Sequence, residues 1–420
     1  MFSQGGLSLE QAPPLSIVLK FFITATLFGL LLGLFLLLTN SNILTFLTHT
    51  KELIVIHTLA LGVMASFMLG ALFQMLPVIA GVTIKLPIKK ATVVHLLLVV
   101  GLLVQLSAFI TQNSPLLYFL AGAYLGIGLL YATISMLKEL IKIKDHSSSS
   151  KGMIYALFSF TLAILFGLYL LLSYGGYING IHFSEIKELH YSFALFGWVS
   201  LLIISVSFQV VEMFYVTPKY PTLMSKYLTT ILFTLLVVKS ILLFLGIEAQ
   251  AVTILFTLLL ILYAITTLKR LSSKKRPTSD ATVWFWNIGM LLFIVSMTIT
   301  FLDSTLGTDN HLKEISYISF IGFTLSIVFA MIYKIVPFLV WFHLSNQGYM
   351  EAPMMHDVIH PKKAKIHFRI HLATVGSFLF SLEIISALLL SLSFGWLLYQ
   401  LLFAMKKYNY IQKHTERIQW

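Results

Sequence analysis

Cysteine is absent from all 420 residues, which excludes disulfides, thiolate metal sites, iron–sulfur clusters and covalent haem attachment through CxxCH. Any cofactor has to be held by His, carboxylate, Met or Tyr. Charge is scarce, at 10% of residues, and acidic groups are the scarcest, 16 against 28 Lys and Arg. The polar surface that would cover a soluble globule is also missing. Hydrophobic residues make up 58% of the chain, mean hydropathy is +0.91, and apolar runs repeatedly reach the roughly 20 residues that cross a bilayer core. What remains is an all-α, polytopic membrane protein. The opening MFSQGGLSLEQAPPLS has no basic stretch and no small-residue cleavage site, so the first apolar run reads as a retained helix.

Apolar runs bounded by polar turns predict twelve transmembrane helices, at 15–38, 53–77, 91–111, 115–141, 152–174, 189–216, 225–246, 250–270, 281–302, 312–342, 367–390 and 393–406. Breaks are read at NSP (113–115), GIEAQ (246–250) and SFG (393–395). Most of the 28 cations fall in the links after even-numbered helices and in the C-terminal tail, whereas the odd links hold Lys51, Lys187 and Lys313 among Glu52, Glu185, Glu188, Glu248, Asp303, Asp309 and Glu314. The positive-inside rule then puts both termini in the cytoplasm of a multi-pass inner-membrane protein. The formal charge of +12 is explained by topology, and a nucleic-acid partner is excluded; the lipid bilayer is the partner.

A spacing recurs along the chain. Gly62, Gln74 and Pro77 are matched by Gly197, Gln209 and Glu212, and by Gly322, Lys334 and Pro337, the second member twelve positions after the first and the third three positions later. Chance coincidence of small and polar residues is the alternative. The pattern predicts one transmembrane domain of three pseudo-repeated four-helix arcs, about 1–148, 149–276 and 277–420, with equivalent helices facing a common interior.

The stretch HTLALGVMASFMLGALFQMLPVIAG, His57 to Gly81, carries an imidazole about 7 Å below the outer polar boundary marked by Glu52, which makes His57 a site candidate by default. His57, Gly62, Gly70 and Pro77 resemble the pattern of the corresponding helix in NnrS-like haem-associated proteins. Twelve helices in three arcs, with histidines near the outer ends of helices 2, 6 and 10, resemble the catalytic subunit of the haem-copper oxidase superfamily. That resemblance implies a b-type haem bound through His57, with His190 or His311 as the second axial ligand, Lys239 at a propionate, and a redox partner protein. Electron transfer, or handling of nitric oxide or another small gas, would follow. The departures are equally specific. Helix 6 reads HYSFALFGW, helix 7 has no histidine, and helix 10 has none inside the membrane, so the oxidase copper site is lacking.

Other candidates have plainer explanations beside them. Lys239 and Glu383 are the most deeply set charges and are expected to pair with each other. On the cytoplasmic side HDVIH and HFRIH set His356 with His360 and His367 with His371, four apart and on one face if helical, a pattern for a second metal of unknown type. A basic segment at the anionic inner leaflet explains the same stretch. Gln74, Gln209 and Lys334 suit either a proton or water route or interhelical hydrogen bonds, and Trp284 and Trp341 read as interfacial anchors. From other classes, an ion-coupled secondary transporter and a cofactor-free assembly subunit also fit a helical chain with midplane polar groups.

Overall fold

A computed structural model describes residues 13–39, 49–275 and 280–417. The opening segment, and with it the reading of residues 1–12, lies outside the described residues. Helices α1 (Leu15–Thr39), α2 (Thr50–Ala80), α3 (Pro87–Thr111), α4 (Pro115–Leu140), α5 (Ser148–Tyr174) and α6 (Phe183–Tyr215) come first. They are followed by α7 (Thr222–Phe244), α8 (Gln250–Ser272), α9 (Ala281–Leu306) and α10 (Asn310–Asn346), then, after a single turn at Met355–Val358, α11 (Pro361–Leu379) and α12 (Glu383–His414). Eleven helices among the described residues, all but α11, are long and apolar enough to cross a membrane. The chain is therefore a multi-pass helical membrane protein. α11 falls short because Lys362, Lys363, Lys365 and Arg369 crowd its first nine residues.

The last break is not where the sequence predicts it. SFG lies inside α12, where a glycine costs a helix only about 1 kcal/mol. The chain turns instead at Phe380–Leu382, where Ser381 takes φ +54° and the N–H groups of Phe380, Ser381 and Leu382 bond back to the carbonyls of Gly376, Phe378 and Ser377. This closure satisfies the orphan carbonyls of a helix end without the glycine or proline that usually announces it.

Two compact units are formed, whose bounds differ from those of the expected repeats. One holds 72–275 and 293–316, the other 13–39, 49–71, 280–292 and 317–417. In the first, each of α3 to α8 packs on its neighbour in sequence, as short links favour. Small residues set the spacing: a Cβ added to Gly152 on α5 would stand 2.8 Å from the Cβ of Ser205 on α6. Two buried tyrosines of this unit are paired across helices. Tyr263 Oη donates to Ser207 Oγ (2.8 Å), and Tyr220, in the α6–α7 link, pairs its hydroxyl with Thr267 Oγ1 (3.0 Å). Burial pushes the Tyr220 phenol up to about 12, so it stays neutral.

In the second unit α1 packs along α12 and against α2, and α11 packs on α12. The α1 sequence Gly29-Leu-Leu-Leu-Gly33 brings the backbones close, as small residues four apart do in membranes. Gly29 sits against the buried Phe394 ring, and a Cβ at Gly33 would fall 2.8 Å from the backbone nitrogen of Ser391. Because backbone cannot swing away, Gly33→Val should destabilise the protein by about 1–3 kcal/mol. Gly122→Ala on α4, where the added methyl meets Leu168 at an ordinary 3.6 Å, should be neutral or mildly stabilising. Thermal unfolding in neutral detergent, followed by circular dichroism, separates them; equal midpoints would remove the proposed role of the α1–α12 contact.

Candidate functional site

Two helices widen next to a histidine. α2 passes into π-helix over Thr58–Ala65, directly after His57, and α6 does so over Ser192–Ser200, two residues after His190. Such insertions are rare and concentrate at functional sites. Each is closed by a serine that donates to the carbonyl five residues back, Ser66 to Leu61 (3.3 Å) and Ser200 to Leu195 (3.0 Å).

His57 Nδ1 lies 2.8 Å from Leu53 O, one turn earlier. A carbonyl accepts only, so the proton sits on Nδ1 and the lone pair of a neutral ring on Nε2. The ring is half-buried, on a stripe of part-exposed residues, Leu53, Ile56, Ala60 and Leu61, that recurs with the helical period. Ile56 is 48% exposed and Ala60 is small, so the imidazole stands on an open, flat, apolar face. His190 in the other unit has the same tautomer, its Nδ1 donating to Ala163 O of α5 at 2.8 Å. Gly167 makes room for it: a Cβ there would lie 2.9 Å from His190 Cε1. His311 is exposed in the first turn of α10. His57 thus belongs to one unit, and His190 and His311 to the other.

Lys239 does not pair with Glu383. Its ammonium meets Glu188 of α6 at 2.9 Å, while Glu383, displaced by the true position of the last break, is the exposed first residue of α12. The four histidines of HDVIH and HFRIH are also divided. His356 is exposed beside Asp357 in the single turn, and His360 caps α11, its Nδ1 accepting the Lys362 N–H (3.2 Å). His367 and His371, one turn apart on α11, are 0% and 2% exposed. The structure does not gather His356, His360, His367 and His371: the first pair lies in the exposed turn and cap before α11, and the second is buried within it. Among the described residues no group of three or more His, Asp or Glu is arranged to hold a metal ion.

The buried pair is instead a hydrogen-bonded core. His371 Nε2 is 2.8 Å from Ser326 Oγ of α10, and that hydroxyl already donates to Gly322 O (2.6 Å), so the imidazole is the donor. His367 Nε2 lies 3.0 Å from Ser393 Oγ of α12. The rings of Phe285, Phe329 and Tyr333 surround His367, with centroids 4.7–5.7 Å away. Beside His371, Thr374 and Ser393 is a cavity of about 30 Å³ walled by apolar residues such as Leu59, Leu325 and Phe378. It has room for a water or a diatomic molecule and none for a porphyrin.

The three residues of the recurring spacing have different fates. Gln74 is 3% exposed with neither amide atom hydrogen-bonded among the described residues. Gln209 is half-buried. Lys334 forms an ion pair with Asp280, the residue before α9. Glu212 closes the α6–α7 link by accepting the Tyr220 N–H (2.8 Å). Sequence reasoning missed Ser326, Ser393 and Asp280; only Asp280 left a signal, as an acid at a helix start.

A search of protein-family models and of curated proteins finds no match to this chain.

Burial alone would push the Asp280 carboxyl up, but the Lys334 ammonium and the Thr282 N–H outweigh it and hold it below its ordinary value of 3.8. The ion pair's contribution is then complete above that value and is lost as pH falls through the lowered folded pKa. Asp280→Asn should cost about 1–2 kcal/mol near neutrality, given that Asp280 is about one-third exposed. The gap in unfolding midpoint between the two proteins should close below pH 3.8. A gap that persists unchanged at pH 3 would rule out the ion pair as its source.

Proposed function

We propose that the chain is a haem-binding multi-pass membrane protein of the oxidase-like, NnrS-like kind, which holds a b-type haem through His57 and lacks the oxidase copper site. The observation that carries this reading is the His57 ring, its Nδ1–H fixed by Leu53 O, on a part-exposed apolar stripe at the start of a π stretch. A carbonyl that fixes the tautomer is what a metal-ligating histidine needs. The donor chemistry therefore fits a haem iron. The 30 Å³ cavity is not its place; a porphyrin would lie along the stripe of Ile56 and Ala60. In the other unit His190 has the same tautomer, and Lys239 is engaged by Glu188.

Haem would supply one-electron transfer, or binding of a small gas at an open axial position. The chain's own part is to keep the Nε2 lone pair directed by the Leu53 bond and to exclude water from that face with aliphatic side chains. The finer architecture belongs to the same proposal: twelve spans, α11 included, in three repeated arcs. It is supported by the two π stretches, which end at Ala65 and Ser200, each three residues past the matched Gly62 and Gly197. Nitric oxide or electron handling, with a redox partner protein and an inner-membrane location, completes the reading.

The purified protein should show a reduced-minus-oxidised b-type band, lost in His57→Ala and retained in Lys239→Gln. A colourless preparation from haem-replete cells, with His57→Ala indistinguishable from wild type, would refute it. A second reading, an ion-coupled transporter, is favoured by the buried His367–His371 core near Lys334 and Asp280. Gradient-driven uptake by proteoliposomes, abolished in Asp280→Asn, would support it.

A further inference from the structure

α11 presents two faces of different chemistry. Its buried face carries His367 and His371, while the exposed stripe runs Lys362, Ile366, Arg369, Leu372, Gly376 and, just past the helix end, Phe380. The stripe changes character along its length. Cations occupy the first half, and Leu372 (43% exposed), Gly376 and Phe380 (79%) make the second half apolar, with a shallow dent at Gly376, where an added Cβ would meet nothing within 4 Å. No carboxylate occurs in α11, and Lys362, Lys363, Lys365 and Arg369 make no ion pair with any carboxylate among the described residues.

Two of these cations are also fixed in depth. Lys363 Nζ lies 5.5 Å from the centre of the Trp396 ring on α12, and Trp396 Nε1 donates to Lys363 O (3.2 Å). Lys365 Nζ lies 5.4 Å from the Trp284 ring on α9. Indole rings settle at the level of lipid headgroups, with lysine stems lying along apolar surface and the ammonium at the polar boundary. The lysines resting on them stand at the same level, which the positive-inside pattern assigns to the cytoplasmic, anionic leaflet.

We infer that the exposed stripe of α11 is a binding site for an anionic phospholipid of the inner leaflet. The phosphate-bearing headgroup lies among Lys362, Lys365 and Arg369, and an acyl chain lies over Leu372, Gly376 and Phe380. Charge complementarity and the cation-to-apolar order along one helix face point to a lipid, because a soluble anion would use only the first half. The site is independent of the haem reading.

The test uses the full chain in neutral detergent, with thermal unfolding as the readout and dioleoylphosphatidylglycerol, dioleoylphosphatidylcholine or glycerol 1-phosphate as the probe. Phosphatidylglycerol should raise the unfolding midpoint in a salt-sensitive way, and the other two should not. In Lys362→Gln/Arg369→Gln, whose side chains are exposed, apparent affinity for phosphatidylglycerol should fall at least tenfold, given roughly a fivefold loss per neutralised cation. The equally charged control Lys144→Gln/Lys226→Gln should keep wild-type affinity. The proposal is overturned if both double variants lose affinity alike, if phosphatidylcholine matches phosphatidylglycerol, or if glycerol 1-phosphate alone gives the full shift. Should the α11 variant not fold, a wild-type response that is flat from 50 to about 500 mM salt overturns it equally.

Discussion

In hydrocarbon an N–H or O–H without a partner costs several kcal/mol, since lipid tails accept no hydrogen bond. Polar side chains in this protein are organised around that cost. His57 and His190 each give a proton to a backbone carbonyl, His371 gives one to Ser326, and Tyr263 gives one to Ser207. Lys239 and Lys334 are neutralised by Glu188 and Asp280. The choice of partner also decides chemistry. His57 and His190 are held at Nδ1 by a carbonyl, whereas the α11 pair is held at Nε2 by serines. The tautomer of each therefore follows from which partner its helix register supplies.

The π stretches show how backbone enters the same balance. Each adds a residue to a helical turn, which rotates everything beyond it relative to a regular helix and weakens the local N–H to carbonyl ladder. Ser66 and Ser200 return part of that loss by donating their hydroxyls five residues back. On α2 the consequence is a change of surface. Residues 53, 56, 57, 59, 60 and 61 are part-exposed, and from residue 62, midway through the stretch, to residue 70 all are buried. The imidazole stands on the part-exposed side of that change.

What could be read from the chain is what depends on local composition. Eleven spans follow from apolar length alone, and the i, i+4 spacing of His367 and His371 correctly put both on one face. Pairings between helices were not legible. Lys239 pairs with Glu188 on the neighbouring α6, and Glu383 begins α12 after a break that carries no glycine or proline to reveal it. Ser326 and Ser393 look like any serine in an apolar run. Their selection as imidazole partners depends on how α10 and α12 are rotated toward α11, which no single helix encodes. The separation of the four histidines was equally illegible: His360 caps α11, His356 stays exposed before it, and His367 and His371 are buried within it.

α11 brings these strands together. Each of its inward imidazoles meets one serine, His371 through Ser326 of α10 and His367 through Ser393 of α12. Its outward cations have no such answer from any carboxylate among the described residues, and two of them are propped on indole rings rather than paired. Cation–π contact of this exposed kind contributes only about 0.5–1 kcal/mol and leaves the charge uncompensated. Among the described residues Lys142, Lys239, Lys313 and Lys334 meet carboxylates; what sets α11 apart is that its cations share one helix face with an apolar second half, which suits an anion that carries an acyl chain. An anionic leaflet presents one at the depth its tryptophans define.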